Sequence, residues 1–381
     1  MLDMVHAREA FESSDDFTVG IEEEFQILDP ESLSLVQRFE DLYEAAWADD
    51  GIGDRAAGEL ISSEIEIRSP RGETFAEAVA RQRELRARLF RLAGEMGIQL
   101  GATGAHPWSP WQEQHIIDTE HYQRLLHDLG YVARRNNTWS VHVHVGVRGA
   151  DRAIAVCDRL RGVLPELLAL SANSPFLDGA DTTLHSARSQ IFTKSFPRCG
   201  IPEPWGDWAT YAGFVDLLVR TGSVVEATQL WWSVRPHHLY GTVEVRICDA
   251  QSTAEESTAI AGLAVACVAQ AAIDYDDGLR PEPPPPRLVE ENFWRAIRHG
   301  LDGRLIDPER GELFPAAALP GRLLAWTGPA RAALGIEVNL PERNGAQRQR
   351  DALAQGADIH EAYAAEVAAT QRTYAGQGVT T

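Results

Sequence analysis

The chain has 381 residues, 44% of them hydrophobic and 24% charged, which suits one large or two medium domains with a substantial core. Against 35 Lys and Arg stand 56 Asp and Glu, a formal net charge of −21, and a field of that sign repels nucleic acid and anionic membranes, so neither is an expected partner. Cys157, Cys199, Cys248 and Cys267 form no CxxC pair, and the first ten residues lack the basic-then-apolar order of a signal peptide, so a reduced, cytoplasmic protein is expected.

Residues 17–28 alternate, with Val19, Ile21, Phe25 and Ile27 on one set of positions and Glu22 and Glu24 on the other; this predicts a strand with an apolar and an acidic face. A variable acidic segment, 29–58, carries a short helix around 39–48. Its Gly-rich part, 51–58, lacks the GxxxxGK[ST] order of a phosphate loop. Residues 61–70 repeat the strand pattern, Glu64, Glu66 and Arg68 alternating with Ile65 and Ile67. Thr74-Phe-Ala-Glu77 has capping-box spacing and opens a helix running to Met96, where Gly97 stops it. A strand over 98–104, an aromatic loop over 105–111 and a helix over 120–129 follow; His106, Trp108 and Trp111 read as structural.

In 140–147, His142 and His144 alternate with Val141, Val143 and Val145. An HxH strand also occurs in cupin barrels, but their motif continues with a Glu that Gly146-Val-Arg-Gly-Ala-Asp-Arg does not supply. Residues 150–172 predict one long helix closed by Asn173-Ser-Pro175. The stretch 176–208, rich in Gly, Pro, Arg and Trp, reads as an ordered functional loop. A helix over 211–220 and a strand over 229–234 precede 242–249, where Glu244 and Arg246 alternate with Val243, Val245 and Ile247. Thr253-Ala-Glu-Glu256 caps a helix whose apolar run, 259–273, is too short to cross a bilayer and reads as buried. Pro281 to Pro286 is an extended surface connection, with helices over 290–298 and 347–374 beyond it. We expect a catalytic body over 1–280 and a helical portion over 287–381 packed on it as one structural unit.

Laid in one sheet with their apolar faces against helices, the four alternating strands would gather Glu22, Glu24, Glu64, Glu66, Arg68, His142, His144, Glu244 and Arg246 on the other face. Carboxylates crowded away from bulk water repel, so such a face calls for divalent cations. Same-face neighbours on a strand stand about 7 Å apart, a spacing that suits two ions about 4 Å apart better than one. Oxygen ligands with an imidazole among them suit Mg²⁺, with Mn²⁺ as a substitute. Arg188, Lys194, Arg198 and Arg235 are placed to grip phosphates. A solvated strand face, hydrogen-bonded histidines and plain surface charge are the alternative readings of these features.

GIEEEFQILDP at Gly20, SEIEIRSP at Ser63, WSVHVHVGV at Trp139, NSPF at Asn173, SARSQIFTKSFPRCGIP at Ser186, WWSVRP at Trp231, TVEVRICDAQ at Thr242 and ENFWRAIRHGLDG at Glu291 occur in this order. Together they resemble the type 2 glutamate-cysteine ligase family of ATP-dependent carboxylate-amine ligases over nearly the whole chain. The resemblance implies an α+β, glutamine synthetase-like fold: a curved, mostly antiparallel sheet with ATP and Mg²⁺ on its concave face and helices on the other. By similarity Glu22, Glu24, Glu66, His142 and Glu244 match metal-binding positions. Arg246 matches an arginine near the transferred phosphate or the acceptor; with Arg188 it makes the expected catalytic pair, and Lys194, Arg198 and Arg235 make the expected ATP-binding set. The implied chemistry activates a carboxylate as an acyl phosphate for displacement by an amine, joining glutamate to cysteine. Ser233 stands where relatives usually have an acidic residue, which leaves the amine open. Ligation to a different amine, a guanidino-type phosphotransfer, or nucleotide and metal binding without turnover are the alternatives. The expected partners are small amino-acid substrates, and a homodimer is compatible with the resemblance.

Overall fold

The computed structural model describes residues 3–226 and 229–376, so the outermost residues of the expected 1–280 and 287–381 portions lie outside the described residues. Among these, the central element is a seven-stranded sheet built from β1 (Val19–Leu28), β2 (Ala56–Ala57), β3 (Glu64–Arg68), β4 (Gln99–Gly101), β5 (Val141–Gly146), β6 (Val234–His237) and β7 (Thr242–Val245). Its order is β6-β7-β5-β1-β3-β2, β4 pairs with the end of β1, and every pairing is antiparallel. The strands that sequence alternation predicted are therefore neighbours, with β1 at the centre.

The alternation decides which side of each strand meets the core. Val19, Ile21, Phe25 and Ile27 are at most 1% exposed, and Ile65, Ile67, Val141, Val143, Val145, Val243 and Val245 are buried with them. Burying one such side chain contributes about 1.5–3 kcal/mol. Behind this face lie the helices Phe75–Glu95 and Ala254–Asp276, whose first turns are capped by the hydroxyls of Thr74 and Thr253, as their spacing predicts. By length and composition Ala254–Asp276 could cross a membrane, which its apolar run alone did not indicate; 89% of its apolar window is buried inside the fold.

Glu23 occupies a position on this same apolar face. It is 3% exposed and accepts from Arg86 Nε at 2.5 Å, Gln82 Nε2 at 2.8 Å and the Ser257 hydroxyl. One carboxylate thus ties β1 to both backing helices.

Several boundaries differ from the sequence expectation, each for a local reason. The long helix expected over 150–172 is two, Ala150–Leu160 and Leu164–Ser171; Pro165, which has no N–H to donate, sits in the first turn of the second. The irregular stretch 176–208 contains the helix Ala187–Ser195, N-capped by Ser186. Its buried side includes Arg188, Ser189 and Thr193, so no apolar period announced it. The segment 347–374 divides into Gly345–Ala354 and Ile359–Tyr374, each opened by a capping box, with Gly356 at φ +101 between them. A helix over Met4–Glu12, a hairpin of Arg304–Ile306 with Leu313–Pro315, and the helices Leu319–Trp326 and Gly328–Leu334 had no sequence counterpart. The helix Ile359–Tyr374 rests on the central strand: Tyr363 donates to Gln26 at 2.5 Å, and the rings of Tyr374 and Phe25 meet edge-on at 5.3 Å.

Candidate active site

Because side chains alternate across a strand, the residues that do not enter the core share the opposite face, and the strand register aligns them. Across β1 and β3, Glu22 faces Arg68 and Glu24 faces Glu66; across β1 and β5, Glu22 faces His142; across β5 and β7, His144 faces Glu244. Glu59, from the loop before β3, joins them. Three overlapping groups result, Glu22–Glu66–His142, Glu22–His144–Glu244 and Glu24–Glu59–Glu66, within each of which one ligand atom per residue lies within 4.8 Å of the others.

Five members of these groups, Glu22, Glu24, Glu59, Glu66 and His142, line a cavity of about 270 Å³, whose walls include Arg68, Arg188, Arg235 and Arg246 and, on the apolar side, Tyr122, Phe192 and Trp231. A second cavity, of about 510 Å³, lies toward the N-terminal end of β1, between Arg55, Arg68, Arg71, His144, Leu239 and Tyr240. Glu22 and Arg68 line both.

The charges in this space fall into two sets. Glu244 is fully buried, yet Arg235, 2.6 Å away, and Arg246 outweigh the burial and hold its carboxyl well below the usual range. Burial likewise opposes ionisation of Glu22, but His144 and His142 keep it low. For Glu59, Glu64 and Glu66 the nearby arginines, Arg68, Arg188 and Arg246, do not outweigh the opposing effects. Burial first, then the neighbouring carboxylates, pushes Glu59 up to about 8 and the other two well above the ordinary value. Added positive charge at this place would favour the ionised form of these carboxyls, as a bound cation does.

The histidines differ in what they leave free. Both ring nitrogens of His142 are occupied, Nε2 by the Ser140 hydroxyl at 2.8 Å and Nδ1 by Glu22 at 3.3 Å. His144 Nδ1 bonds the Thr242 hydroxyl at 3.0 Å. Its Nε2 is buried without a hydrogen-bond partner, 3.3 Å from Glu22 and 3.9 Å from Glu244. An imidazole anchored through one nitrogen and open at the other, between two carboxylates, is the arrangement of a metal ligand with its supporting contact. The donors present, carboxylate oxygens with imidazole, therefore fit divalent cations of the Mg²⁺ and Mn²⁺ kind.

All five residues expected to bind metal stand on this face, but the expected basic residues separate. Arg188 is 2% exposed and donates to the carbonyls of Ile247 and Arg246 at 3.1 Å; its Nε and that of Arg246 are buried without partners. Arg235 and Arg246 clamp Glu244. Lys194 pairs with Glu290 and lies over the Phe293 ring, facing the Pro286–His299 helix. Arg198 donates to the Gln229 carbonyl and lies over Trp231. Neither Lys194 nor Arg198 lines either of these two cavities. Residues that the sequence reading left out of the ligand set are Glu59, Glu64 and His144. Glu64 and His144 were on the charged face by spacing, whereas Glu59 sits beside Gly58 in a stretch with no periodicity. A Cβ at Gly58 would come within 2.7 Å of Phe39, so the close approach of this loop to its neighbours requires the glycine.

Among solved structures, the chain superimposes on a glutamate–cysteine ligase from Francisella tularensis in complex with AMP, with a TM-score of 0.69, 10% identity, and coverage of 97% of this chain and 91% of that one. It also superimposes on a bifunctional glutathione synthetase from Pasteurella multocida, with a TM-score of 0.66 and 13% identity, covering 96% of this chain and 53% of that one. At such identities the likeness speaks for the fold alone, the α+β arrangement of antiparallel sheet and backing helices expected above. Fold, site and relatives define an enzyme class, the ATP-dependent carboxylate–amine ligases. Two curated relatives, both provisionally named glutamate–cysteine ligase 2, are 40% identical: one from Rubrobacter xylanophilus over 90% of this chain and 88% of its own length, and one from Sorangium cellulosum over 85% and 86%. The model of glutamate–cysteine ligase family 2 matches residues 18–369, and the chain belongs to that family.

Proposed function

We propose that the protein joins the side-chain carboxylate of glutamate to the amine of cysteine, with conversion of ATP to ADP and phosphate. The observation that supports this most is the convergence of Glu22, Glu24, Glu59, Glu64 and Glu66 on a cavity that shares Glu22 and Arg68 with a second one. The smaller cavity takes the amino acids, and the larger, with Arg55 and Arg71 on its wall, takes the nucleotide.

In this reading Glu22, His144 and Glu244 would hold one divalent ion and Glu24, Glu59 and Glu66 another, with His142 between them. Mg²⁺ bound there, or Mn²⁺ in its place, would supply positive charge that offsets the carboxylates and the nucleotide phosphates. A carboxylate oxygen of glutamate attacks the terminal phosphorus, and the bond to the bridging oxygen breaks with its electron pair leaving on ADP. The amine of cysteine then attacks the acyl carbon, the carbon–oxygen bond breaks with its pair on phosphate, and the nitrogen gives up a proton. The protein's share is positioning and electrostatics, so no side-chain nucleophile is called for. Arg235 and Arg246 keep Glu244 ionised and fixed, while the unpartnered Nε–H groups of Arg188 and Arg246 supply donors for substrate carboxylate. Tyr122, Phe192 and Trp231 wall the smaller cavity against water. Ser233 is buried and lines neither cavity. The four cysteines are unpaired, in keeping with a reduced cytoplasmic setting.

Coupled-assay measurement of ADP across pairs of carboxylates and amines tests the reading. ADP should form with Mg²⁺-ATP only when glutamate and an amine, cysteine foremost, are both present. Release of ADP with one substrate alone and a stable phosphorylated product would favour phosphotransfer, and none with any pair would leave a binding protein without turnover.

A further inference from the structure

Two side chains border both cavities, Glu22 and Arg68, which face each other across β1 and β3. Glu22 is accounted for by the cation groups. Arg68 is not, and it differs from the other arginines that line the smaller cavity, Arg188, Arg235 and Arg246. Arg188 spends its Nη donors on backbone carbonyls, Arg235 donates to Glu244 and to the Leu230 carbonyl, and Arg246 donates to Glu244 through Nη1. Among the described residues Arg68 has no hydrogen-bonded partner; its nearest anion is Glu66, at 3.6 Å from Nε, and its side chain is 41% exposed. Its backbone, in contrast, is fixed: Ile67 is fully buried on the core side of β3, and the Ser69 hydroxyl accepts from the Ile21 amide at 2.9 Å. A stem held by the sheet therefore carries a guanidinium with five uncommitted N–H donors at the junction.

That combination suits a tetrahedral oxyanion in transit. The planar fork of an arginine matches two phosphate oxygens at once, and its charge is worth most where charge is redistributed between a leaving and an attacking oxygen. We propose that Arg68 is a catalytic residue whose guanidinium donates to the non-bridging oxygens of the phosphoryl group during transfer. This rests on the ligase reading above. The bond from phosphorus to the ADP oxygen breaks with its electron pair on ADP, a bond from phosphorus to the substrate carboxylate oxygen forms, and Arg68 keeps its proton throughout. Because it borders both cavities, the role does not depend on which of them admits the nucleotide.

The test compares wild type, Arg68→Ala and Arg68→Lys in the full chain, with Mg²⁺-ATP, glutamate and cysteine. Arg68→Ala should lower kcat by about 10³-fold, within the range for an arginine that contacts a transferring phosphoryl group. The KM values for both amino acids and the Tm should stay near those of wild type, ADP should bind as before, and ATP should bind more weakly. Arg68→Lys, which keeps the charge without the fork, should recover part of kcat, as should guanidinium added to the alanine variant. An Arg68→Ala enzyme within about threefold of wild-type kcat overturns the inference, as does a kcat loss that guanidinium and lysine leave untouched while ATP and ADP affinities fall together. Wild-type protein that forms no ADP with any pair removes the ligase reading itself, and is scored before the variants.

Discussion

Glu244→Gln should lower kcat by about 10²–10³-fold in a protein that still folds, the size of loss seen when one preorganised electrostatic contact is taken from a transition state. Glu244 has no solvent exposure, bonds Arg235 and Arg246, and shares a group with Glu22 and His144. Glutamine keeps the shape and can still accept from one guanidinium through its carbonyl oxygen, but it removes the charge that faces His144. The alanine variant is a worse probe, because it strands two buried arginines and should cost about 3–5 kcal/mol of stability besides activity. Glu24→Ala is the cleaner truncation, since it strands no arginine: it frees the Ser140 amide, and the Ser140 hydroxyl that bonds Glu24 at 2.8 Å keeps His142 as a partner. Steady-state ADP release and calorimetric Tm on the same preparations check both statements; full activity in Glu244→Gln or Glu24→Ala would remove those residues from the site.

One position away, the expected result inverts. Glu23→Ala should cost about 3–5 kcal/mol of stability, because Arg86, with its side chain 4% exposed, would lose its carboxylate between β1 and two helices. Activity per folded molecule should change far less than in the Glu24 variant. Urea unfolding reads the difference. Replacing the pair together, as Glu23→Leu with Arg86→Leu, should recover most of the loss, since exchanging a whole buried ion pair for apolar side chains is often neutral. If Glu23→Ala unfolds at the wild-type midpoint, the ion pair does not anchor the strand.

These neighbouring carboxylates show what was legible in the sequence. The period of two identified β1, β3, β5 and β7 and put Glu22, Glu24, Glu66, His142 and Glu244 on one face, because a half-buried strand writes its burial pattern into its residues. Within Glu22-Glu23-Glu24 the same period places Glu23 with Val19, Ile21, Phe25 and Ile27, but its partners Arg86 and Ser257 come from helices far along the chain. Glu59 left no trace, since it reaches the site from a loop whose shape is set by contacts with Phe39 and Ile117. The Ala187–Ser195 helix was hidden by its polar buried side, and that is why Lys194 was grouped with Arg188 although it pairs with Glu290; Arg198, beyond the helix end, donates to the Gln229 carbonyl instead. Arg68 was placed on the charged face by spacing, but only the two cavities reveal that it stands between them.

The most direct measurement is anomalous diffraction from crystals grown with Mn²⁺ and a non-hydrolysable ATP analogue. The account predicts Mn²⁺ peaks among Glu22, His144 and Glu244 and among Glu24, Glu59 and Glu66, with the analogue's phosphates reaching the first of them. An ordered analogue with no anomalous peak inside these groups, or Mn²⁺ bound only on outer carboxylates, would contradict it.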